Sequence, residues 1–460
     1  MMNECLDNFV NKIGVWWLHD KPDEIFYACL SIKNGNYILT SEVIPISIAR
    51  TIYKASFDDG VPESFDLLGK IEGCLFTLMS CHVPTMKSRY ILKQENNYDN
   101  ICSIEIIPAE IIYGSFHVDD TSFITSAIVD FEELENFIYM KSYDVEVDGL
   151  NINLPENIEH QFDNFTIRFF AMLKHNHKRY SMEYTSNVYI EFLYKKKTSI
   201  NEMRSNISIF NMLLSILKLN YIHIEIIELY TCNTEDYEAV SENGSVLFHM
   251  NYSVDKVEEV YPTPFFRLKY EAISSIFNDI VNKWFLMYEK AAPIIELFYQ
   301  ILIKKSFDIN KFLNLAQALE VFSNKYRSDK ANALLDKFPN EKKEQTGTRL
   351  FHKVYDLFTH VNLCFGLTEF QIEDISHWIA DTRNYYTHYG TTSKKKALTN
   401  PEDRYPINDL MMYLLTMVIY VELGIPIELI KSDFYHPFYE STLERVDKVY
   451  NRKKSAITNK

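Results

Sequence analysis

The chain has 460 residues, 47% hydrophobic and 14% aromatic, which is enough to bury substantial cores and long enough for two or three domains. Its formal net charge of −16 excludes a protein that coats nucleic acid with a generally basic surface, so any RNA contact must be local. With 12 glycines and neither a G-x-G-x-x-G nor a G-x-x-x-x-G-K-[ST] string, a Rossmann or P-loop nucleotide site is disfavoured.

Seven cysteines, at 5, 29, 74, 81, 102, 232 and 364, are scattered and odd in number, which fits reduced thiols in a cytoplasmic protein. The opening residues lack a basic region followed by an apolar run, so no signal peptide is expected. From 14 to 145 the pattern is mostly strands, at 16–20, 24–32, 36–43, 69–81, 88–94 and 101–116, separated by Asn, Asp, Gly and Pro clusters. Alternation and β-branched or aromatic enrichment predict a sandwich or barrel-like region. A short helix over 131–140 is expected to close it. A second strand group follows at 165–174, 179–195, 221–231 and 244–252, interrupted by a helix over 199–218. In that helix Met203, Ile207, Phe210, Leu213 and Leu217 recur at three and four and predict one buried face.

Tyr261-Pro262-Thr263-Pro264 biases the backbone toward extended structure and marks a boundary. The expected organisation is α+β and multidomain: a β-rich part over 1–145, a second α/β part over 146–260, and an all-α part over 261–460. Helices are predicted over 268–305, 309–327, 347–364, 369–390, 407–423 and 437–450, with a frayed basic tail. The apolar run Leu410 to Val421 is about half of the roughly 20 residues that span a bilayer and reads as a buried helix, so no membrane partner is expected.

The stretch 368–390, TEFQIEDISHWIADTRNYYTHYG, carries the chemistry. Thr368 and Gln371 form a capping-box pattern, and Gly390 sits where a left-handed stop belongs. Ile372, Ile375, Ile379 and Tyr386 follow helical spacing toward a core, while Asp381, Asn384 and His388 fall on another face. Arg383 precedes His388 by five residues, roughly 140° around the helix, and its long side chain can swing toward the imidazole.

Arg383-Asn384-Tyr385-Tyr386-Thr387-His388 resembles the Arg-x4-His motif of the HEPN superfamily, small helical domains of which many are metal-independent ribonucleases. The helix 311–327, KFLNLAQALEVFSNKYR, resembles the Ala-Leu-Glu helix of ApeA-type HEPN domains. The segments 14–32 and 69–81 resemble the opening of the β-rich region that precedes this domain in ApeA-like phage-defence proteins. The resemblance implies an RNA-cleaving HEPN bundle behind a region that senses a phage-derived trigger or restrains activity, with abortive infection as the outcome.

An imidazole ordinarily titrates near 6.5, so His388 can serve as general base or acid near neutrality. Arg383 can grip a phosphate and stabilise its developing charge. RNA supplies its own nucleophile, the ribose 2′-OH, so a base and an acid suffice and no metal or other cofactor is required. Two copies of the motif facing across a homodimer supply both proton-transfer groups, which is also the arrangement the HEPN resemblance implies. Asn384 can hydrogen-bond the imidazole, the phosphate or the partner subunit, and Glu320, at the margin of the Phe312, Ala316, Leu319 and Phe322 stripe, can orient Arg383. Lys394, Lys395 and Lys396 can contact RNA phosphates, although a solvated charged loop is the simpler reading of the three. Tyr385, Tyr386 and Tyr389 can stack on a base or fill a core.

The bland account is that an Arg and a His near a helix end are merely solvated, with the imidazole favoured there by the helix dipole. A functional alternative is a non-catalytic HEPN module that dimerises or binds a ligand. Two other clusters carry less. His175 and His177 are flanked by Lys174, Lys178 and Arg179 and read as an exposed turn without a third metal ligand. Cys74 and Cys81 are seven apart and fall on opposite faces of a strand unless that strand is broken.

Overall fold

The computed structural model describes residues 6–58, 61–62, 64–92, 98–115, 117–118, 123–140, 155–178, 181–232, 245–250, 267–303, 309–338, 348–388, 397–434 and 437–458. They divide into two compact units: one drawn from 1–134, 140–206 and 223–256, the other from 135–139, 207–222 and 257–460.

The first unit is organised by strands that alternate buried and exposed residues. Strands β1 (Ile13–Leu18), β2 (Lys21–Lys33), β3 (Asn36–Pro45), β4 (Phe65–Ile71), β5 (Cys74–Leu92) and β6 (Tyr98–Ile107) close on themselves in the antiparallel order β5-β4-β1-β2-β3-β6-β5. This six-stranded barrel leaves no free edge around its ring. Trp16 fills its interior, and the indole Nε1 donates to the Ala28 carbonyl at 3.2 Å. Opposite Trp16, the β1–β4 register places Gly69; a side chain there would be driven into the indole ring. Helix α1 (Ile46–Ser56) adds Ala49 and Ile52 to the same core.

Strand β5 also carries the rest of the sheet. Its first part pairs with β4 on one side and β7 (Glu110–Gly114) on the other, whereas its second part pairs with β6. The change falls at Ser80, whose φ is 50° and whose amide donates to Asp66 Oδ1 at 2.8 Å. A bulge of this kind bends a strand enough to close a barrel. Beyond β7 the sheet runs through β13 (Ser245–Met250), β12 (Ile224–Cys232), β8 (Phe123–Phe131), β11 (Ser181–Thr198), β10 (Phe165–Lys178) and β9 (Ile158–Gln161), antiparallel throughout. The two strand groups of the sequence are therefore one continuous sheet.

Several expectations are corrected here. The segment 69–81 is a hairpin, not one strand: Ile71 pairs with Cys74 across Glu72 and Gly73, both at positive φ, the two-residue turn that matches strand twist. Cys81 lies in the barrel core and Cys74 packs against it, because the Ser80 bulge breaks the strict alternation. His175 and His177 belong to β10, in register with Tyr184 and Met182, rather than to a turn; their side chains lie outside the described residues. The expected helix at 131–140 is a single turn, Leu134–Phe137.

Helix α2 (Ile200–Lys218) buries Met203, Ile207, Phe210, Leu213 and Leu217, as its spacing predicts. The second unit takes its portion from Ile207 onward and is otherwise helical: α3 (Phe277–Ile303), α4 (Ile309–Tyr326), α5 (Ser328–Lys337), α6 (Leu350–Phe365), α7 (Glu369–His388), α8 (Pro401–Glu422), α9 (Ile427–Phe434) and α10 (Pro437–Thr458). Two polar rings fix α2 within this unit, Trp284 Nε1 donating to Ile209 O at 2.7 Å and the Tyr420 hydroxyl to Ile216 O at 2.8 Å. Helix α6 packs against α4, α5, α7, α8 and α9, which explains why residues 350–358 are buried on every side.

Helix α8 begins six residues before the predicted start at 407. Pro401 takes its first position, where a missing N–H costs nothing, and Asn400 Oδ1 accepts from Glu402 N at 3.1 Å. The tail does not fray at 450. Arg452 and Lys453 pair with Asp403, and Lys454 pairs with Asp374 at 2.5 Å, so α10 continues to Thr458. No helix among the described residues is long and apolar enough to cross a membrane.

Candidate functional site

Helix α7 starts with the capping box its sequence announces. Thr368 N donates to Gln371 Oε1 at 2.9 Å, and Gln371 N donates to Thr368 Oγ1 at 3.3 Å. Ile372, Ile375 and Ile379 are buried, together with Trp378 and Thr382. This face fixes the rotation of the helix, and Arg383 and Asn384 are left partly exposed at its side, with His388 exposed at its end. The expected stop at Gly390 and the lysines Lys394, Lys395 and Lys396 lie outside the described residues.

The structure brings Arg383, Asn384 and Glu320 together. Arg383 Nη2 lies 3.4 Å from Glu320 Oε2, and Nη1 lies 3.4 Å from Asn384 Oδ1. Both are long contacts, and the Arg383 side chain keeps 32% of its exposure, so the guanidinium has donors to spare for a ligand. Glu320 reaches this position from α4, whose Phe312, Ala316, Leu319 and Phe322 are buried. Its other oxygen, Oε1, accepts from Lys353 Nζ at 2.9 Å. His388 stands apart from this cluster: among the described residues its ring joins no hydrogen bond or ion pair.

Residues absent from the sequence reading hold the frame. Thr382, fully buried, accepts a hydrogen bond from Leu398 N at 2.8 Å. Buried Arg404, on α8, donates through Nη1 to the Tyr386 hydroxyl at 3.1 Å and to Leu398 O at 3.2 Å, with its guanidinium carbon 5.6 Å from the Tyr386 ring centre. The chain on both sides of 389–396 is thus tied to one arginine. Tyr386 packs as its spacing predicts, but through this polar contact rather than full burial. Tyr385 lies against Tyr386, ring centres 4.9 Å apart. Lys353, Thr382 and Arg404 escaped notice because each sits in an apolar run or lacks a motif. A charge inside LFHKVYDLF is itself a signal, since lysines are seldom buried unpaired.

Among the described residues no three His, Cys, Asp or Glu side chains converge as metal ligands. What the site offers is a cation with free donors, an acidic residue that holds it, a neighbouring amide, and an imidazole little more than one turn away. An all-helical unit presenting Arg-x4-His beside an acidic partner from another helix has the form of a HEPN domain.

Family comparison agrees. The model for Apea-like HEPN matches residues 313–429, and that for ApeA N-terminal domain 1 matches residues 11–284. The chain belongs to the ApeA-like family, anti-phage proteins with a β-rich N-terminal region and a C-terminal HEPN domain. HEPN domains are generally nucleases, and they often dimerise and bind RNA. No curated protein and no solved structure matches the chain significantly.

Proposed function

We propose that the chain is a metal-independent endoribonuclease of the cytoplasm that acts in abortive infection. Residues 261–460 carry the chemistry, and residues 1–145 and 146–260 sense a phage-derived trigger or restrain activity. The observation that supports this best is Arg383, held by Glu320 and Asn384 yet open to solvent, with exposed His388 farther along the same helix. Two such helices in a homodimer supply two imidazoles and two guanidiniums. One imidazole takes the proton from the ribose 2′-OH as its oxygen attacks phosphorus. The second, as imidazolium, gives a proton to the departing 5′-oxygen as the P–O5′ bond breaks. Arg383 stabilises the charge that builds on the non-bridging oxygens. A structured RNA such as tRNA is a fitting substrate for so acidic a chain, because recognition has to be local.

The test is cleavage of RNA by the full chain with and without EDTA, beside His388→Ala. The expected products carry a 2′,3′-cyclic phosphate and a 5′-hydroxyl, form in EDTA, and disappear in the variant while its melting and oligomeric state stay unchanged. Products with 5′-phosphates, or inhibition by EDTA, contradict the mechanism. Undiminished protection by His388→Ala leaves the non-catalytic scaffold as the better account.

A further inference from the structure

Lys353 lies in the first turn of α6 with only 8% of its side chain exposed, and its ammonium is 2.9 Å from Glu320 Oε1. The same carboxylate faces Arg383 through Oε2 at 3.4 Å. A buried ammonium is costly unless it is paired, so an explanation is needed for a lysine here. Charge supplies one. A carboxylate that orients an arginine also cancels it, and an isolated Arg383–Glu320 pair would present no net charge to a phosphodiester. With Lys353 included, the cluster carries two cations and one anion, a net charge of +1. The distances agree with this division: Glu320 is held more closely by the buried lysine than by the arginine, which leaves Arg383 steered but loosely bound.

We propose that Lys353 is a positioning residue for phosphodiester recognition. It anchors Glu320 and offsets its charge, so that Glu320 directs Arg383 without neutralising it. The inference rests on the reading of this site as one that receives an RNA phosphate.

The test compares full-chain wild type, Lys353→Met, Glu320→Gln and the double variant in two assays: binding of a non-cleavable 2′-O-methyl oligoribonucleotide, and cleavage of the unmodified RNA. Cluster charge is +1 in wild type, 0 in Lys353→Met, +2 in Glu320→Gln and +1 in the double variant. Lys353→Met is expected to bind about tenfold more weakly, as loss of one nearby charge at intermediate dielectric implies. Glu320→Gln is expected to bind more tightly while its kcat falls because Arg383 loses its guide. The double variant should recover the wild-type Kd. Unchanged binding by Lys353→Met, or a double variant weaker than Lys353→Met, overturns the proposal, because simple packing damage accumulates and does not reverse. Should Lys353→Met fail to fold, the sign of the Glu320→Gln change decides: tighter binding supports the proposal and weaker binding overturns it. The two readings fail separately. The expected order of Kd values without any cleavage sinks the nuclease and keeps the phosphate site. Cleavage that depends on His388, with equal Kd values throughout, sinks the role of Lys353 alone. Absence of binding by wild type overturns both.

Discussion

Replacing Arg404 by Met removes every donor of a buried guanidinium while keeping an unbranched side chain in its place. Two of its hydrogen bonds are within 3.2 Å, to the Tyr386 hydroxyl and to Leu398 O, and a third to Thr399 O is marginal at 3.5 Å. A hydrogen bond from a charged donor contributes about 1.5–3 kcal/mol. Relief of the arginine's own desolvation offsets part of the loss, so a net cost of about 3 kcal/mol is expected for the two good bonds. The consequence should be local as well as global, because Tyr386 lies two residues before His388 and Leu398 follows the segment 389–396. Denaturant unfolding followed by hydrogen exchange across 382–388 and by RNA cleavage separates the two effects. The expected result is faster exchange in that segment and cleavage at least about tenfold slower at a temperature where the fold persists, the latter corresponding to about 1.4 kcal/mol of lost transition-state stabilisation. Tyr386→Phe, which removes one of these charged-donor bonds, should cost about 1.5–3 kcal/mol. If Arg404→Met exchanges like wild type over 382–388, the end of α7 is held by something other than α8, and the reasoning fails.

Two further outcomes concern the β-rich unit. Gly69→Ala places a methyl group into the Trp16 indole at the barrel centre, and overpacking of this kind costs about 3 kcal/mol. A wild-type unfolding midpoint, read by tryptophan fluorescence, would show that the barrel yields more easily than its packing implies. Glu110 is almost fully buried on β7 and pairs with Arg204; burial outweighs that attraction, Asp66 adds repulsion, and the carboxyl is pushed up to about 7. The unfolded chain releases this proton near 4.5, so the folded state binds more protons between those values. Stability should therefore fall as pH rises from 4.5 to 7, by about 3 kcal/mol in all, and stay level above. Thermal melts of Glu110→Gln should lack that component, and an identical pH dependence in the variant and wild type would refute the assignment.

The helical elements were legible where their ends are written locally. Thr368 and Gln371 announce the start of α7, and Ile372, Ile375 and Ile379 announce its buried face, because capping and 3.6-residue periodicity are properties of neighbouring residues. Elements whose ends depend on distant partners were misread. The last turns of α10 are pinned by Asp403 and Asp374, which lie far away in sequence, and nothing in the basic tail itself reveals that pairing. The Glu72-Gly73 turn was missed for a different reason: its first residue is a non-glycine at φ 47°, a conformation that composition alone argues against.

The amino-acid order by itself determined the division into strand-rich and helical regions, the buried stripe of α7 and the spacing of Arg383, Asn384 and His388, since each follows from side chains a few residues apart. Closure of the barrel belongs to the tertiary structure, because it depends on β5 changing partners at Ser80. The meeting of Lys353, Glu320 and Arg383 belongs there too. Those three charges come from three helices, and only the packing of α4, α6 and α7 sets the distances on which their electrostatics depend.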